Sequence, residues 1–330
     1  KTSADGRTVI MFEVDGVLQL MEHIMDGSAE GRWTQMALSN IFANASVSYA
    51  FSLSPTGVVN VILVSGQGQS FTYMRPTSFV ALEHSLRSSG GFGANLASTA
   101  DSQANQQIVH QSTPANTLWF DQEQNGIWAT TEQIGSITPN LDRALQLHID
   151  SQNISRVVYY DSTTGELAIA SRDGSWSFQQ IALESSLTTL SSTLTSEDKV
   201  LIAGVIDLSG VTTLRIWQWD GNQVSFTDIG EVNTSAQYKI AQVNETTLAI
   251  AGLDEERIII HESNLSAIDW NEVFNQSMGI VDEFISYLLI EEDTIIVQGN
   301  SSASGLLLRT EGQWNRTLRA LPIGNNPSLL

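Results

Sequence analysis

The chain has 330 residues and a mass of 36.0 kDa, with 42% hydrophobic and only 15% charged residues, so a sizeable core is available and wholesale disorder is excluded. Thirty-six acids against 15 bases leave a formal charge of −21, and the clustered cations that displace counterions from nucleic acid are missing. Zero cysteines exclude disulfides, Cys-ligated zinc or iron–sulfur sites and thiol catalysis, and no apolar run reaches the ~20 residues of a membrane-spanning helix.

Read in chain order, short apolar runs rich in β-branched and aromatic residues arrive in sets separated by Gly, Asn and Asp turn signals. RTVIMFEVDG, VLQLMEHIMDG and RWTQMAL fill 1–40, and VSYAFSLS, VVNVILVSG and SFTYMRP fill 41–77. QQIVHQS, TLWFDQE and GIWATTEQI lie within 91–137. LQLHID and the runs Arg156–Tyr160, Glu166–Arg172 and Trp176–Ile181 make a four-part unit within 138–184. KVLIAGVIDL, TTLRIWQWDG and QVSFTDIG follow within 188–232, then TTLAIAGL, RIIIHES and AIDWNEV within 236–275. DTIIVQG, GLLLRTEG and QWNRTLRAL complete 278–330.

The last run of each set carries an aromatic near its start: Trp33, Phe71, Trp128, Trp176, Phe226, Trp270 and Trp314. Their mean spacing of about 47 residues is that of a propeller blade. The reading is all-β: a seven-bladed β-propeller of four-stranded antiparallel blades, one domain over 1–330. The first set lacks an inner strand, which the tail LPIGNNPSLL could supply by closing the ring. Segment 77–105 breaks the rhythm and is expected to be an inter-blade insertion. Within it Phe79, Leu82 and Leu86 fall at helical spacing before Gly90-Gly91, which predicts a short helix.

Asn-x-Ser/Thr occurs eight times, at Asn44, Asn153, Asn233, Asn244, Asn264, Asn275, Asn300 and Asn315. Nineteen Asn and 66 Ser plus Thr predict about four by chance, so the acceptor pattern for N-glycosylation is enriched twofold. A secreted chain of this size ordinarily uses disulfides. Many sequons with no Cys, few Lys and an acidic balance instead resemble archaeal cell-surface proteins. Starting at Lys1 without a leader, the chain reads as a mature form or a piece of a longer protein, and its expected place is extracellular, at the cell surface.

Ser171-Arg172-Asp173-Gly174-Ser175-Trp176 is similar to the Asp-box turn of secreted BNR-type propellers, although it is one residue short on each side of the Gly; Asp220-Gly221 and Glu311-Gly312-Gln313-Trp314 are related. In that family these turns stabilise hairpins away from any active site. Sialidases, the best-known enzymes of this kind, carry an arginine-bearing motif near the N-terminus that no segment here matches. His23, His84, His110, His148 and His261 lack metal-ligand spacing. The acidic groups Glu197-Asp198, Asp254-Glu255-Glu256 and Asp282-Glu283 could take calcium, yet none has an EF-hand spacing, so no cofactor is expected. Trp217 and Trp219 share one strand face and read either as a sugar platform or as core.

The functional expectation is recognition or assembly with a protein or glycan at the cell surface. The alternatives are a secreted glycosidase-like enzyme and a structural subunit of a surface layer or filament. The sequon-free stretch between Asn44 and Asn153 contains 77–105, which places a contact surface on Phe79, Leu82, Leu86 and Phe92.

Overall fold

The computed structural model describes residues 8–14, 17–24, 32–37, 48–53, 59–64, 71–75, 80–84, 91–113, 117–124, 127–136, 145–184, 186–234, 236–254, 257–277, 285–291, 294–299, 304–310 and 312–317. Every regular element among them is a β-strand, and no helix long and apolar enough to cross a membrane occurs there. The chain divides into two compact units, Lys1–Leu183 and Glu184–Leu330.

Among the described residues the first unit holds four sheets. Sheet A is β1 (Thr8–Val14), β2 (Val17–Ile24) and β3 (Arg32–Ala37); sheet B is β4 (Ser48–Leu53), β5 (Val59–Val64), β6 (Phe71–Arg75) and β7 (Val80–His84). Sheet C is β8 (Gly91–Ala100), β9 (Gln106–Thr113), β10 (Thr117–Gln124) and β11 (Ile127–Ser136); sheet D is β12 (Leu145–Ile149), β13 (Ser155–Asp161), β14 (Glu166–Asp173) and β15 (Ser175–Leu183).

The second unit holds three. Sheet E is β16 (Thr189–Leu194), β17 (Val200–Leu208), β18 (Val211–Trp219) and β19 (Val224–Glu231). Sheet F is β20 (Gln237–Gln242), β21 (Thr247–Asp254), β22 (Arg257–Asn264) and β23 (Ala267–Ser277), and sheet G is β24 (Ile285–Glu291), β25 (Thr294–Gly299), β26 (Ser304–Thr310) and β27 (Gln313–Thr317). Each sheet is an antiparallel meander in chain order, the propeller-like architecture that the repeat implies.

Packing explains why some strands do not alternate. Residues 200–206 of β17 are buried on both faces. Leu201, Ala203 and Val205 join a core with Tyr238, Ile240 and Ile250 of sheet F, while Ile202 and Gly204 lie opposite Trp217 and Arg215 on the other face. A strand covered on both sides has no reason to keep polar residues at alternate positions. Trp217 is 1% exposed and Trp219 is buried beside it on β18. They are core residues, so the sugar-platform reading of this pair falls.

The segment 77–105 departs from expectation. Val80–His84 is the fourth strand of sheet B, with Leu82 opposite Tyr73, and Gly91–Ala100 is the first strand of sheet C, with Phe92 opposite Ser112. Phe79 and Leu86 lie outside the described residues. The apolar spacing over so short a window fits either period, and the open edge of β6 decides it by offering backbone partners to β7. The 57-residue interval from Phe71 to Trp128 is explained as well, because Phe71 opens a third strand and not a last one.

The turns between first and second strands repeat a chemical device. Asp101 Oδ1 accepts the backbone N–H groups of Gln103 and Asn105 at 2.9 and 2.8 Å; Asp150 Oδ1 accepts those of Gln152 and Ile154 at 3.0 and 2.8 Å. Thr195 Oγ1 does the same for Glu197 and Lys199 at 3.3 and 3.1 Å. The fourth residue of each turn is left-handed: Ala104 (φ 66°), Asn153 (φ 62°) and Asp198 (φ 59°). A side-chain oxygen that satisfies two amides holds such a turn closed despite the strained residue.

Gly252 sits under the ring of Tyr238 across the β20–β21 pair, where a Cβ would clash with the ring. Gly252→Ala is expected to lower stability by about 1–3 kcal/mol through overpacking. Urea denaturation checks this, and the loss should shrink in a Tyr238→Leu background where the ring is gone.

Candidate functional site

The aromatic that begins a last strand turns out to fasten one sheet to the sheet before it. Trp176 on β15 sets its ring edge against Phe120 of sheet C, with centroids 5.3 Å apart and planes at 75°. Its indole Nε1 donates to Glu132 Oε2 on β11 at 3.0 Å. Arg172 on β14, directly opposite Trp176, donates to the same carboxylate from Nε and Nη2 at 2.8 and 2.7 Å. Trp314 on β27 repeats the arrangement, buried in the core of sheet F with Nε1 donating to Glu262 Oε1 of β22 at 2.7 Å. Trp270 on β23 packs against the core shared by sheets E and F.

Phe226 on β19 lies one step further along, opposite Trp217, and has no donor to give. It remains 58% exposed, and the Arg215 guanidinium stacks 4.2 Å from its ring centroid. Arg215 donates to both oxygens of Asp228 at 2.6 and 3.0 Å and to Glu184 at 3.3 Å. In sheet D, Phe178 follows Trp176 on the same strand face and is 55% exposed. Two surfaces of like composition result, one in each unit. The first comprises Glu132, Arg172, Trp176 and Phe178; the second comprises Glu184, Arg215, Phe226 and Asp228. Each carries an exposed aromatic ring on the same strand face as a fixed guanidinium–carboxylate pair. Such a surface can stack on the apolar face of a sugar or a side chain while exchanging hydrogen bonds at its border.

The ionisable groups with catalytic types are placed differently. His110 on β9 and Asp121 on β10 share a face and approach to 3.0 Å, but they are 1% and 2% exposed. On that face Gln106 receives a hydrogen bond from Ser52 of sheet B, and its backbone N–H donates to Glu123 at 3.3 Å. The seam between sheets B and C is therefore polar and sealed from solvent, whereas the opposite face of sheet C packs Val109, Leu118 and Phe120 on sheet D. Burial, with Glu166 and Asp161 nearby, pushes the Tyr159 hydroxyl up to about 12, which removes it as a base at neutral pH. Burial holds His261 below its usual range, against the opposing pull of Glu272.

The other expected sites distribute as follows. His110, His148 and His261 lie on sheets C, D and F. Among the described residues no three His, Cys, Asp or Glu side chains converge as metal ligands. Glu197 pairs with Lys199 at 2.7 Å and Asp198 sits in its turn with positive φ, while 255–256 and 282–283 lie outside the described residues. Asn153 is in the β12–β13 turn, Asn244 in the β20–β21 turn and Asn264 at the β22–β23 turn; Asn233 follows β19, Asn275 is on β23 and Asn315 on β27. Asn44 and Asn300 lie outside the described residues. Sequence reasoning did not single out Glu132, Phe178, Glu184 or Asp228. Partners 40 residues apart give no local signal, although the recurring aromatic marked the strand position that organises them.

No family model matches the chain, and no curated protein matches its sequence. Among solved structures it is similar to that of polysaccharide lyase Uly1, at 9% identity over 96% of this chain and 87% of that one, with a TM-score of 0.57. It is also similar to a protein from Lactobacillus plantarum, at 12% identity over 94% of both chains, with a TM-score of 0.61. At these identities the likeness is one of fold.

The Glu132 carboxyl is held below its ordinary value by the hydrogen bonds and charge of Arg172 and by the Trp176 donor, with burial opposing. A carboxyl with a lowered folded pKa stabilises fully above its unfolded value, near 4.5 here, and loses that contribution as the pH falls through the lower folded value. Glu132→Gln is therefore expected to cost about 1 kcal/mol at pH 7, as a partly exposed bidentate pair should. The difference from wild type should be full above about pH 4.5, shrink as the pH falls below it and vanish only below the lower folded value, as read by urea midpoints across pH.

Proposed function

We propose that this chain is an extracellular recognition module of an exported, N-glycosylated cell-surface protein, and that the two aromatic–ion-pair surfaces contact carbohydrate. We further propose that its seven sheets are the blades of one propeller. The observation that carries the recognition reading is the combination at Phe178 and Phe226, exposed rings on strand faces that also carry ion pairs already satisfied. Such pairs lose little freedom when a ligand arrives, because they are ordered before it binds. The sequon enrichment supports the extracellular placement, as does the resemblance of a sequon-rich, acidic, cysteine-free chain to archaeal cell-surface proteins. Asn44, Asn153, Asn233, Asn244, Asn264, Asn275, Asn300 and Asn315 are the acceptors this reading supplies.

A second reading is a carbohydrate-active enzyme, supported by the likeness in fold to a polysaccharide lyase. It shares the ligand class and differs in chemistry, because elimination from a uronate needs an accessible base. His110 is sealed and Tyr159 is raised, so that base would have to come from elsewhere in the chain.

The two readings separate in one experiment. The full chain is applied to immobilised uronate-containing and neutral polysaccharides, and the same mixtures are followed for unsaturated products by ultraviolet absorbance. Recognition predicts retention without absorbance growth. Phe178→Ala or Phe226→Ala should weaken retention about tenfold, equivalent to about 1.4 kcal/mol. Undiminished binding by both variants would remove these surfaces from the proposal, and accumulating unsaturated product would establish the lyase reading instead.

A further inference from the structure

The sequons differ sharply in what their side chains are doing. At Asn244 the side-chain Oδ1 accepts from the Thr246 backbone N–H at 3.0 Å, from Thr246 Oγ1 at 3.2 Å and from the Thr247 N–H at 2.9 Å. At Asn264 the Oδ1 accepts from the Ser266 N–H at 2.9 Å and from Ser266 Oγ at 2.7 Å. In both, the Asn and the hydroxyl two residues later are drawn together, and the Nδ2 amide makes no hydrogen bond among the described residues. The two sequons also touch. Thr247 is opposite Asn264 in the β21–β22 ladder, and the Leu265 N–H donates to the Thr246 carbonyl at 2.8 Å.

Two other sequons are committed to structure. Ser155, the hydroxyl partner of Asn153, is buried and donates to Gln107 of sheet C at 2.6 Å, while the Asn153 Oδ1 accepts from Ser102 at 3.1 Å. On β23, Asn275 Nδ2 donates to both oxygens of Glu272 at 3.2 Å, and its Oδ1 accepts from Arg257 Nε at 2.8 Å. A transferase must reach the amide nitrogen and the hydroxyl together. It would have to unpack Ser155 to use the first site and break a carboxylate pair to use the second.

We infer that Asn244 and Asn264 are the paired N-glycan acceptors of the folded chain, forming one doubly modified end of sheet F, and that Asn153 and Asn275 are refused once the chain has folded. This rests on the exported, glycosylated reading above. The co-reactant is a lipid-linked oligosaccharide phosphate. One Nδ2–H bond breaks, the bond from Nδ2 to the sugar C1 forms, and the C1–O bond to phosphate breaks with the electron pair leaving on the phosphate. The proton passes to a base of the transferase. The Asn carbonyl keeps its role as acceptor, so the turn bonds at Asn244 and Asn264 survive the reaction. At Asn275 the amide loses one of the two hydrogens that face Glu272.

The test uses the folded full chain with a purified N-oligosaccharyltransferase and a lipid-linked oligosaccharide, read site by site through glycopeptide mass spectrometry. Occupancy at Asn244 and Asn264 should exceed that at Asn153 and Asn275 by tenfold or more, a gap of at least about 1.4 kcal/mol. Short peptides spanning the four sequons should erase the preference, and Thr246→Ala or Ser266→Ala should each remove only its own glycan. Equal occupancy at Asn153 or Asn275 in the folded chain overturns the inference. So does refusal of Asn244 and Asn264 when their peptides are accepted. Protein from its native source separates the two levels of argument. Absence of glycan at all eight sequons there would end the cell-surface glycoprotein reading and leave the folded-state acceptor order standing.

Discussion

The structure depends on covering both faces of thin antiparallel sheets without a single cross-link. A four-stranded sheet cannot bury enough apolar area alone, so its stability resides in contacts with the sheets beside it. The recurring solution combines small residues on the inner strands with one large aromatic reaching back from the last strand. Ala168 and Ala170 let sheets C and D approach closely, and Trp176 closes the rim of that seam. Ala249 and Ala251 play the same part beneath Trp314. A carboxylate receives each indole N–H, so neither tryptophan leaves a donor unpaired at a half-covered site.

This arrangement accounts for what the sequence disclosed and what it withheld. Strand existence was legible almost throughout, because β-branched runs bounded by Gly and Asp turns state their own period. The seam aromatics were legible as a rhythm, though not as fasteners, because the carboxylate each one meets lies on another sheet. At 80–84 the helical spacing extends over a window too short to distinguish two periods. The decisive term there is the edge of β6, a tertiary requirement absent from local sequence. The turn device at Asp101, Asp150 and Thr195 was visible as Asp-Ser-Gln, Asp-Ser-Gln and Thr-Ser-Glu at nearly constant separation, and would have given a sharper register than the aromatics did.

The candidate surfaces follow from the same construction. Where an aromatic donates to a preceding carboxylate it is consumed in packing. Where the ring is a phenylalanine one step further along the strand, as Phe178 and Phe226 are, it stays in water on the face that carries an arginine fixed by its own ion pair. The surfaces proposed for recognition thus share residues with the architecture, and Arg172 and Arg215 belong to both. That sharing explains how a chain with few cations can hold two of them rigidly at its surface, since each is surrounded by acids and aromatic carbon.

The polar seam between sheets B and C has a consequence for assembly of a chain built from sheets of like pattern. Repeated modules invite wrong neighbours while folding, because an alanine-lined face accepts almost any partner. The face of sheet C carrying Asp121, Glu123 and His110 does not. Against a hydrocarbon neighbour it would strand carboxylates at a cost of several kcal/mol. Ser52 of sheet B supplies hydrogen bonding where an apolar face would not. The seam therefore favours sheet B over an apolar face as the neighbour of sheet C.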